Sequence, residues 1–278
     1  MPIWCPGCGD FSVLMALQKA LQHRQVAPHK LAVISGIGCS SRIPHFINAY
    51  GFHMVHGRSL PSAAAVKVVN PELEVIAAGG DGDGFAIGMG HFPHTVRRNP
   101  NITYLVMDNE IYGLTKGQTS PTSHTGLVTK TTPWENADEP INPIMTALAH
   151  NCSFVARGIS TDVKQLTQLL IEAMEHPGFS FVQAMSPCLT FHDTYEMVRN
   201  TSKDLPEDHD VTDRLGAIKY ALDTDNMWTG VFYKVRRPTL DEVTTRNKLK
   251  ALERNTKSPT PLMKIYADMG GKVPTSTS

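Results

Sequence analysis

Three short and almost wholly apolar segments of the sequence each lead directly into a loop of glycine and polar residues. They span residues 31–35, 73–78 and 102–107, and a fourth apolar segment covers residues 179–185. Helical spacing of apolar residues is found at 10–21, 85–98, 141–150 and 161–176. Continuous apolar runs are typical of parallel strands that are buried on both faces. The alternation predicts an α/β fold with a mostly parallel sheet flanked by helices.

Two of these loops carry residues suited to a phosphate group and a cation. Gly80, Asp81 and Gly82 follow one predicted strand, and Asn109 follows the next. Glycines let the backbone approach a phosphate closely, and carboxylate and amide oxygens are ligands that Mg²⁺ accepts. A Gly-Asp-Gly tripeptide by itself is most often a turn. Its place between a strand and a helix, at the ligand-binding edge of an open sheet, favours a phosphate–metal loop instead.

The order of strand, Gly-Asp-Gly, helix, strand and asparagine resembles the thiamine-diphosphate motif. The resemblance implies that Asp81 and Asn109 are side-chain ligands of Mg²⁺ and that Ile111 adds its carbonyl oxygen. It also implies the residues that line the cofactor, which are Gly80, Gly82, Asp83, Gly113 and Leu114. The expected fold is then the diphosphate-binding half of a thiamine enzyme.

The cysteines form a second candidate site. Cys5 and Cys8 make a Cys-x-x-Cys pair, while Cys39 and Cys188 each follow a predicted strand. Four thiolates can hold a structural zinc ion or a [4Fe–4S] cluster, and spacing alone does not separate the two. The neighbouring thiamine motif favours the cluster, because a redox centre has a role beside that cofactor. Cys152 opens an apolar strand and is interpreted as a buried structural thiol.

Five longer motifs strengthen the interpretation, namely WCPGCGDF, GIGCSSR, HGRSLP, GGDGDGFAIG and DNEIYGLTKGQTSPT. Together they resemble the beta subunits of 2-oxoacid:ferredoxin oxidoreductases over residues 4–190. The resemblance implies that Cys5, Cys8, Cys39 and Cys188 bind a [4Fe–4S] cluster and that Ile37, Gly38, Cys39 and Ser40 contact the thiamine cofactor. His56, Arg58 and Lys116 are candidate catalytic residues, although the first two could instead anchor their loop. Arg42, Leu114 and Lys116 are candidate substrate contacts, with packing or surface charge as the alternative.

The resemblance also implies the reaction. We expect CoA-dependent oxidative decarboxylation of a 2-oxoacid, with electrons passing through the cluster to ferredoxin, in a reaction that can run backward to fix CO₂. The motif YGLTKGQTSPT favours 2-oxoglutarate over pyruvate or a branched 2-oxoacid. An alpha subunit is expected to carry the pyrimidine-binding domain, in an assembly of two alpha and two beta chains, so the isolated chain should be inactive. The alternative from another class is a zinc-binding subunit without catalysis.

Domain organisation and location follow from composition. We expect a thiamine-diphosphate and cluster domain at residues 1–200 and a partly irregular C-terminal extension at 201–278, where the strand–helix pattern weakens. The chain has 26 basic and 26 acidic residues, so charge does not favour nucleic acid as a partner. Apolar runs fall short of the roughly 18 residues of a membrane span, and the Met-Pro-Ile-Trp start lacks the features of a signal peptide. A cytoplasmic location without membrane contact is therefore expected.

Overall fold

The structure is a computed structural model, and it describes residues 2–255 and 267–270. In these residues the strands are β1 (Leu31–Ser35), β2 (Tyr50–His53), β3 (Glu74–Gly80), β4 (Ile102–Asp108), β5 (Ile111–Tyr112), β6 (Gln118–Thr119), β7 (Phe154–Ile159), β8 (Phe179–Met185), β9 (Ser202–Asp204) and β10 (Met227–Lys234). The α-helices are α1 (Asp10–His23), α2 (Ser59–Val69), α3 (Asp81–Phe85), α4 (Phe92–Arg98), α5 (Pro143–Ala149), α6 (Val163–Glu175), α7 (Tyr195–Thr201), α8 (Arg214–Ala221) and α9 (Leu240–Asn255).

The main sheet has eight strands in the order β2-β1-β3-β4-β8-β7-β10-β9. All neighbouring strands run parallel except β7 and β10, which pair antiparallel. Every residue of β1, β4 and β8 is buried, as the continuous apolar runs predicted. The predicted α/β class with a mostly parallel sheet is confirmed.

Helices cover both faces of this sheet because successive strand residues point to opposite sides. Val33 packs in the core layer that contains α1 and α6, while its neighbour Ile34 packs in the layer that contains α2 and α4. The second layer includes an aromatic group in which the Phe92 ring meets the Phe181 ring edge-on at 5.5 Å. Two apolar layers around one sheet leave the carboxyl ends of the strands as the open edge for ligands.

The single helix predicted at residues 85–98 is wrong, because the segment is divided into three pieces. Helix α3 ends at Phe85, a 3₁₀ turn spans Ile87–Gly90, and α4 begins at Phe92. A β-carbon on Gly88 would lie 2.2 Å from the carbonyl oxygen of Asp83, so the chain makes a close approach there that a regular side chain would block. The other helices predicted above agree with the structure to within two residues at each end.

The structure extends the compact unit beyond the boundary expected at residue 200. The first unit spans Met1–Leu240, because β9, α8 and β10 continue the sheet and its covering layer. The second unit spans Asp241–Ser278 and includes most of α9. Residues 256–266 and 271–278 of the expected extension lie outside the described residues. Within the described residues, no helix is both long and apolar enough to cross a membrane.

His176, which follows α6, provides a test of the packing through pH. Burial and the charges of Lys234 and Arg236 lower the pKa of its imidazole to about 4, and its Nε2 atom is buried without a hydrogen-bond partner. The folded state thus favours the neutral ring, so stability is expected to fall as pH drops from about 6.5 towards 4. His176→Gln should reduce this loss of unfolding free energy by an amount on the order of 1–3 kcal/mol. Urea unfolding of both proteins between pH 7 and 4.5 measures it, and an unchanged slope would contradict the assignment.

Candidate active site

The pairing of β3 with β4 places the two acidic loops side by side. Gly80 is opposite Met107 in this parallel register, so Asp81 and Asp108 follow at the same end of adjacent strands. Both carboxylates are almost fully buried, at 2% and 1% exposure. The strand pairing therefore creates a pair of buried acids at the ligand edge of the sheet.

A cavity of about 380 Å³ opens next to this pair. Each residue for which the thiamine motif and the family resemblance implied a cofactor or Mg²⁺ contact lines it: Ile37, Gly38, Cys39, Ser40, Gly80, Asp81, Gly82, Asp83, Asn109, Ile111, Gly113 and Leu114. His56 lines it as well. Segments at the carboxyl ends of β1, β2, β3 and β4 supply these residues, so the cavity lies where parallel sheets place their ligands.

The charge of the acidic pair fits a bound cation. Thr122 Oγ1 lies 2.9 Å from Asp81 Oδ2 and 2.8 Å from Asp108 Oδ1, and one hydroxyl proton cannot be donated to both. Burial raises the pKa of Asp81 to about 6, and burial together with the charge of Asp81 raises the pKa of Asp108 to about 8. A divalent cation would compensate this excess negative charge.

The loop that contains Asn109 is already shaped for such an ion. Asn109 Oδ1 accepts a hydrogen bond from the backbone N–H of Ile111 at 3.1 Å, which fixes the turn after β4. The second lone pair of that oxygen remains for a metal. Asp81, Asn109 and the Ile111 carbonyl together form an all-oxygen set of the kind that Mg²⁺ accepts.

Asp83, two residues after Asp81, has a different role in the structure. Its Oδ1 accepts hydrogen bonds from the backbone N–H groups of Ile37 at 2.8 Å and Gly57 at 2.7 Å, and His56 Nδ1 lies 3.2 Å away. Burial raises the pKa of Asp83, and these partners oppose that shift. Asp83 therefore holds the loops after β1 and β2 against α3.

The cavity wall is tight where a diphosphate would approach. A β-carbon on Gly82 would lie 2.1 Å from the ring of Tyr112, whose hydroxyl donates a hydrogen bond to the Gly82 carbonyl at 3.2 Å. Only glycine permits this contact, as expected for a loop that brings its backbone close to a ligand. The described residues thus fit a thiamine diphosphate with its Mg²⁺.

A second cavity of about 220 Å³ lies at the cysteines. Cys5, Cys8, Cys39 and Cys188 all line it. It shares part of its wall with the first cavity, since Cys39, Asn109, Gly113 and Leu114 line both. A β-carbon on Gly113 would lie 3.6 Å from Cys39 Sγ and 3.7 Å from Cys188 Sγ, so these sulfurs stand at the shared wall.

The four thiols in this cavity are free, and those of Cys8 and Cys39 are hard to ionise without a metal. Burial raises the pKa of Cys8, and burial, the Asp10 charge and Cys188 raise that of Cys39 to about 11. A metal centre coordinates thiolates and so offsets this cost. Trp4 covers the site, with its indole N–H donating to the Cys39 carbonyl at 2.6 Å. The residues fit a four-thiolate centre.

The candidate substrate and catalytic residues do not all lie in the same cavity. Arg42, Leu114 and Lys116 line the cysteine cavity, and Leu114 also lines the first. Arg58 precedes α2, lines neither cavity and lies near His91, where burial and the Arg58 charge lower the pKa of the imidazole. The structure thus brings His56 into the first cavity and leaves Arg58 outside it.

Sequence reasoning missed several residues around the acidic pair. Ser120, Thr122 and Ser123 form a buried hydroxyl turn, and Ser120 and Thr122 hold the Asp81 carboxylate. Gln183 connects Asp108 to Arg157, accepting from the guanidinium at 2.8 Å and donating to the carboxylate at 2.7 Å. Asp108 could have been recognised from the sequence, because it directly precedes Asn109 at a strand end.

Comparison with known proteins agrees with this geometry. Residues 36–184 match the family described as "Thiamine pyrophosphate enzyme, C-terminal TPP binding domain". Residues 188–248 match the family of C-terminal segments of pyruvate ferredoxin oxidoreductase beta subunits. The first match covers more than half of the chain and contains the first cavity, so the protein is a thiamine pyrophosphate enzyme by its fold and site.

The relatives define the family within that class. The chain is 41% identical to the 2-oxoacid:ferredoxin oxidoreductase subunit beta of Saccharolobus solfataricus, over 92% of this chain and 79% of that protein. It is 43% identical to the 2-oxoglutarate oxidoreductase subunit KorB of Mycobacterium tuberculosis, over 68% of this chain and 51% of that protein. A solved 2-oxoglutarate:ferredoxin oxidoreductase from Magnetococcus marinus, with 2-oxoglutarate, coenzyme A and succinyl-CoA bound, has a TM-score of 0.87 at 40% identity, covering 99% of this chain and 90% of that one. The chain belongs to the beta subunits of 2-oxoacid:ferredoxin oxidoreductases, which confirms the resemblance.

Proposed function

We propose that this chain is the beta subunit of an enzyme that oxidises 2-oxoglutarate to succinyl-CoA and CO₂ and passes the electrons through a [4Fe–4S] cluster to ferredoxin. The observation that carries the proposal is the wall shared by the two cavities, formed by Cys39, Asn109, Gly113 and Leu114. A cofactor that gives up electrons and a cluster that accepts them would lie on opposite sides of this wall.

The residues of the first cavity bind and orient the thiamine cofactor in this proposal. Asp81, Asn109 and the Ile111 carbonyl hold Mg²⁺, while Gly80 and Gly82 admit the diphosphate. When bound, thiamine diphosphate supplies the electron sink that decarboxylation requires. Asp83 keeps His56 beside the cavity through the 3.2 Å contact with its Nδ1, so the ring is positioned to exchange protons there.

The residues of the second cavity bind the cluster and supply positive charge near it. Cys5, Cys8, Cys39 and Cys188 are the four thiolate ligands. Arg42 and Lys116 line the same cavity and are cations suited to a substrate carboxylate. A zinc ion at the same thiolates would support no electron transfer, because zinc has no redox chemistry. Iron analysis of the purified protein separates the two metals.

The substrate assignment rests on the relatives. KorB of Mycobacterium tuberculosis and the Magnetococcus marinus structure are named for 2-oxoglutarate, and both are about 40% identical to this chain. The name of the family matched at residues 188–248 points to pyruvate, so that acid is the alternative. A beta subunit implies an alpha partner, and we propose that it contributes the pyrimidine-binding domain in an assembly of two alpha and two beta chains.

Side-by-side assays test the substrate. The complex with its alpha subunit, purified without oxygen, is expected to reduce viologen in a CoA-dependent reaction at least tenfold faster with 2-oxoglutarate than with pyruvate or 2-oxoisovalerate. This chain alone is the control and should give no rate. Preference for pyruvate would correct the substrate and keep the chemistry, whereas turnover by the single chain would contradict the division of the site between two subunits.

A further inference from the structure

Outside both cavities, three potential metal ligands from separate parts of the chain converge on one point. They are Glu110 in the loop after β4, His124 in the segment after β6 and His192 in the turn after β8. One ligand atom from each lies within 4.8 Å of the other two. Only the tertiary fold brings these residues together, since the nearest two in sequence are fourteen positions apart.

The distances between the Glu110 carboxylate and the two histidine nitrogens suit a shared metal ion better than hydrogen bonds. Glu110 Oε2 lies 3.6 Å from His192 Nε2 and 3.9 Å from His124 Nδ1, beyond the usual hydrogen-bond range. Ligands on a tetrahedral zinc ion with bonds near 2.05 Å are about 3.3 Å apart. The two distances from Glu110 exceed this value by only a few tenths of an ångström, and the two histidine nitrogens lie within 4.8 Å of each other. The His192 Nε2 atom is buried and has no hydrogen-bond partner, and the centroids of the two imidazole rings are 5.3 Å apart with the rings tilted by 35°.

The backbone around the three residues is held in place. The Ser123 hydroxyl donates a hydrogen bond to the Glu110 carbonyl, which ties the residue before His124 to Glu110 itself. The backbone N–H of His192 donates to the Cys188 carbonyl at 3.0 Å. Within the described residues, no lysine or arginine lies within ion-pair distance of Glu110, so no cationic side chain occupies the place of a metal.

We infer that Glu110, His124 and His192 form a binding site for a divalent transition-metal ion of the zinc type, separate from the Mg²⁺ and cysteine sites. Two imidazoles and one carboxylate are a ligand set that zinc accepts, with a fourth position left open. Glu110 and His124 also line a cavity of about 630 Å³, so that position faces a space where water or a small ligand can bind. The ion would join the turn at Asn109 and Ile111 to the turn after Cys188, and so fasten the two neighbouring sites together.

Metal stoichiometry tests the inference on the assembled enzyme. The complex with its alpha subunit and an intact cluster is stripped with a mild chelator, titrated with Zn²⁺ and analysed by elemental analysis. Wild type is expected to bind one equivalent per beta chain more than His192→Ala or His124→Ala, and to gain thermal stability from Zn²⁺ that neither variant gains. His29→Ala is the matched control, because His29 is exposed before β1 at the opposite end of the sheet.

Co²⁺ identifies the ligands spectroscopically. The site should give visible d–d bands without the strong sulfur-to-metal absorption that a cysteine site produces, and Glu110→Gln, which preserves the side-chain shape, should weaken Co²⁺ binding at least about tenfold. Equal Zn²⁺ content in wild type and both histidine variants would overturn the inference. So would binding that never saturates in wild type, which would mean an adventitious ion only.

Discussion

Asp81→Asn is expected to lower kcat/KM of the assembled enzyme by more than about a hundredfold. Removing a residue that supports a metal ligand without binding the metal itself commonly lowers metal affinity or activity ten- to a hundredfold. Removing a direct ligand should lower them further. The carboxylate is buried at the carboxyl end of β3, where it lines the first cavity. Steady-state assays at saturating thiamine diphosphate, with Mg²⁺ varied from micromolar to millimolar, measure the loss.

The same substitution should stabilise the cofactor-free protein. Burial raises the pKa of Asp81 to about 6, which means that the folded state holds an unfavourable charge above that pH. Removing this charge is expected to add on the order of 1–3 kcal/mol to the free energy of unfolding at pH 7. Asp208→Asn, at an exposed position, is the control for both measurements. Unchanged turnover in Asp81→Asn, with unchanged Mg²⁺ dependence, would refute the assignment of the ligand.

Cys188→Ala is expected to remove the cluster. The purified variant should lack most of its iron and the broad absorbance near 400 nm that iron–sulfur proteins show, and viologen reduction should fall below detection. The thiol stands at the wall between the two cavities, and the other cysteines that line the second cavity are themselves assigned as ligands. Iron and sulfide analysis of anaerobically purified protein measures the effect.

Cys152 offers a matched control for that experiment. It is fully buried, and its Sγ lies within hydrogen-bond distance of the carbonyl oxygens of Phe154 at 3.2 Å and Phe179 at 3.5 Å, away from the cysteine cavity. Cys152→Ala should keep its iron and lose about 1–2 kcal/mol of stability through packing. A Cys188→Ala variant that retains full iron, or a wild type that contains zinc in place of iron, would overturn the cluster assignment.

Sequence patterns predicted the parallel sheet well, because a strand of continuous apolar residues fits few environments other than a sheet covered on both faces. They also predicted residues around the first cavity, because residues that directly follow a strand have little freedom in where they lie. The register that makes Asp81 and Asp108 neighbours is a property of two paired strands and has no local signature. The same holds for Glu110, His124 and His192, which were not recognised because no two lie within one motif.

The C-terminal part of the first unit shows a second limit of prediction from sequence patterns. Strand β10 alternates only weakly between buried and intermediate positions and pairs antiparallel with β7, so no continuous apolar run indicated it. The break between α3 and α4 was equally hidden, because the spacing of apolar residues continues through it. The break is accompanied by a close approach of Gly88 to the Asp83 carbonyl, which is visible only in the folded chain.

The wall shared by the two cavities has a kinetic consequence. Its residues, Cys39, Asn109, Gly113 and Leu114, belong to one chain. With both cofactors bound as proposed, an electron that moves between them crosses no subunit boundary. The transfer is then a first-order event within each assembled molecule. Dilution or weaker association of the subunits would reduce the number of working molecules but would leave the rate constant of that step unchanged.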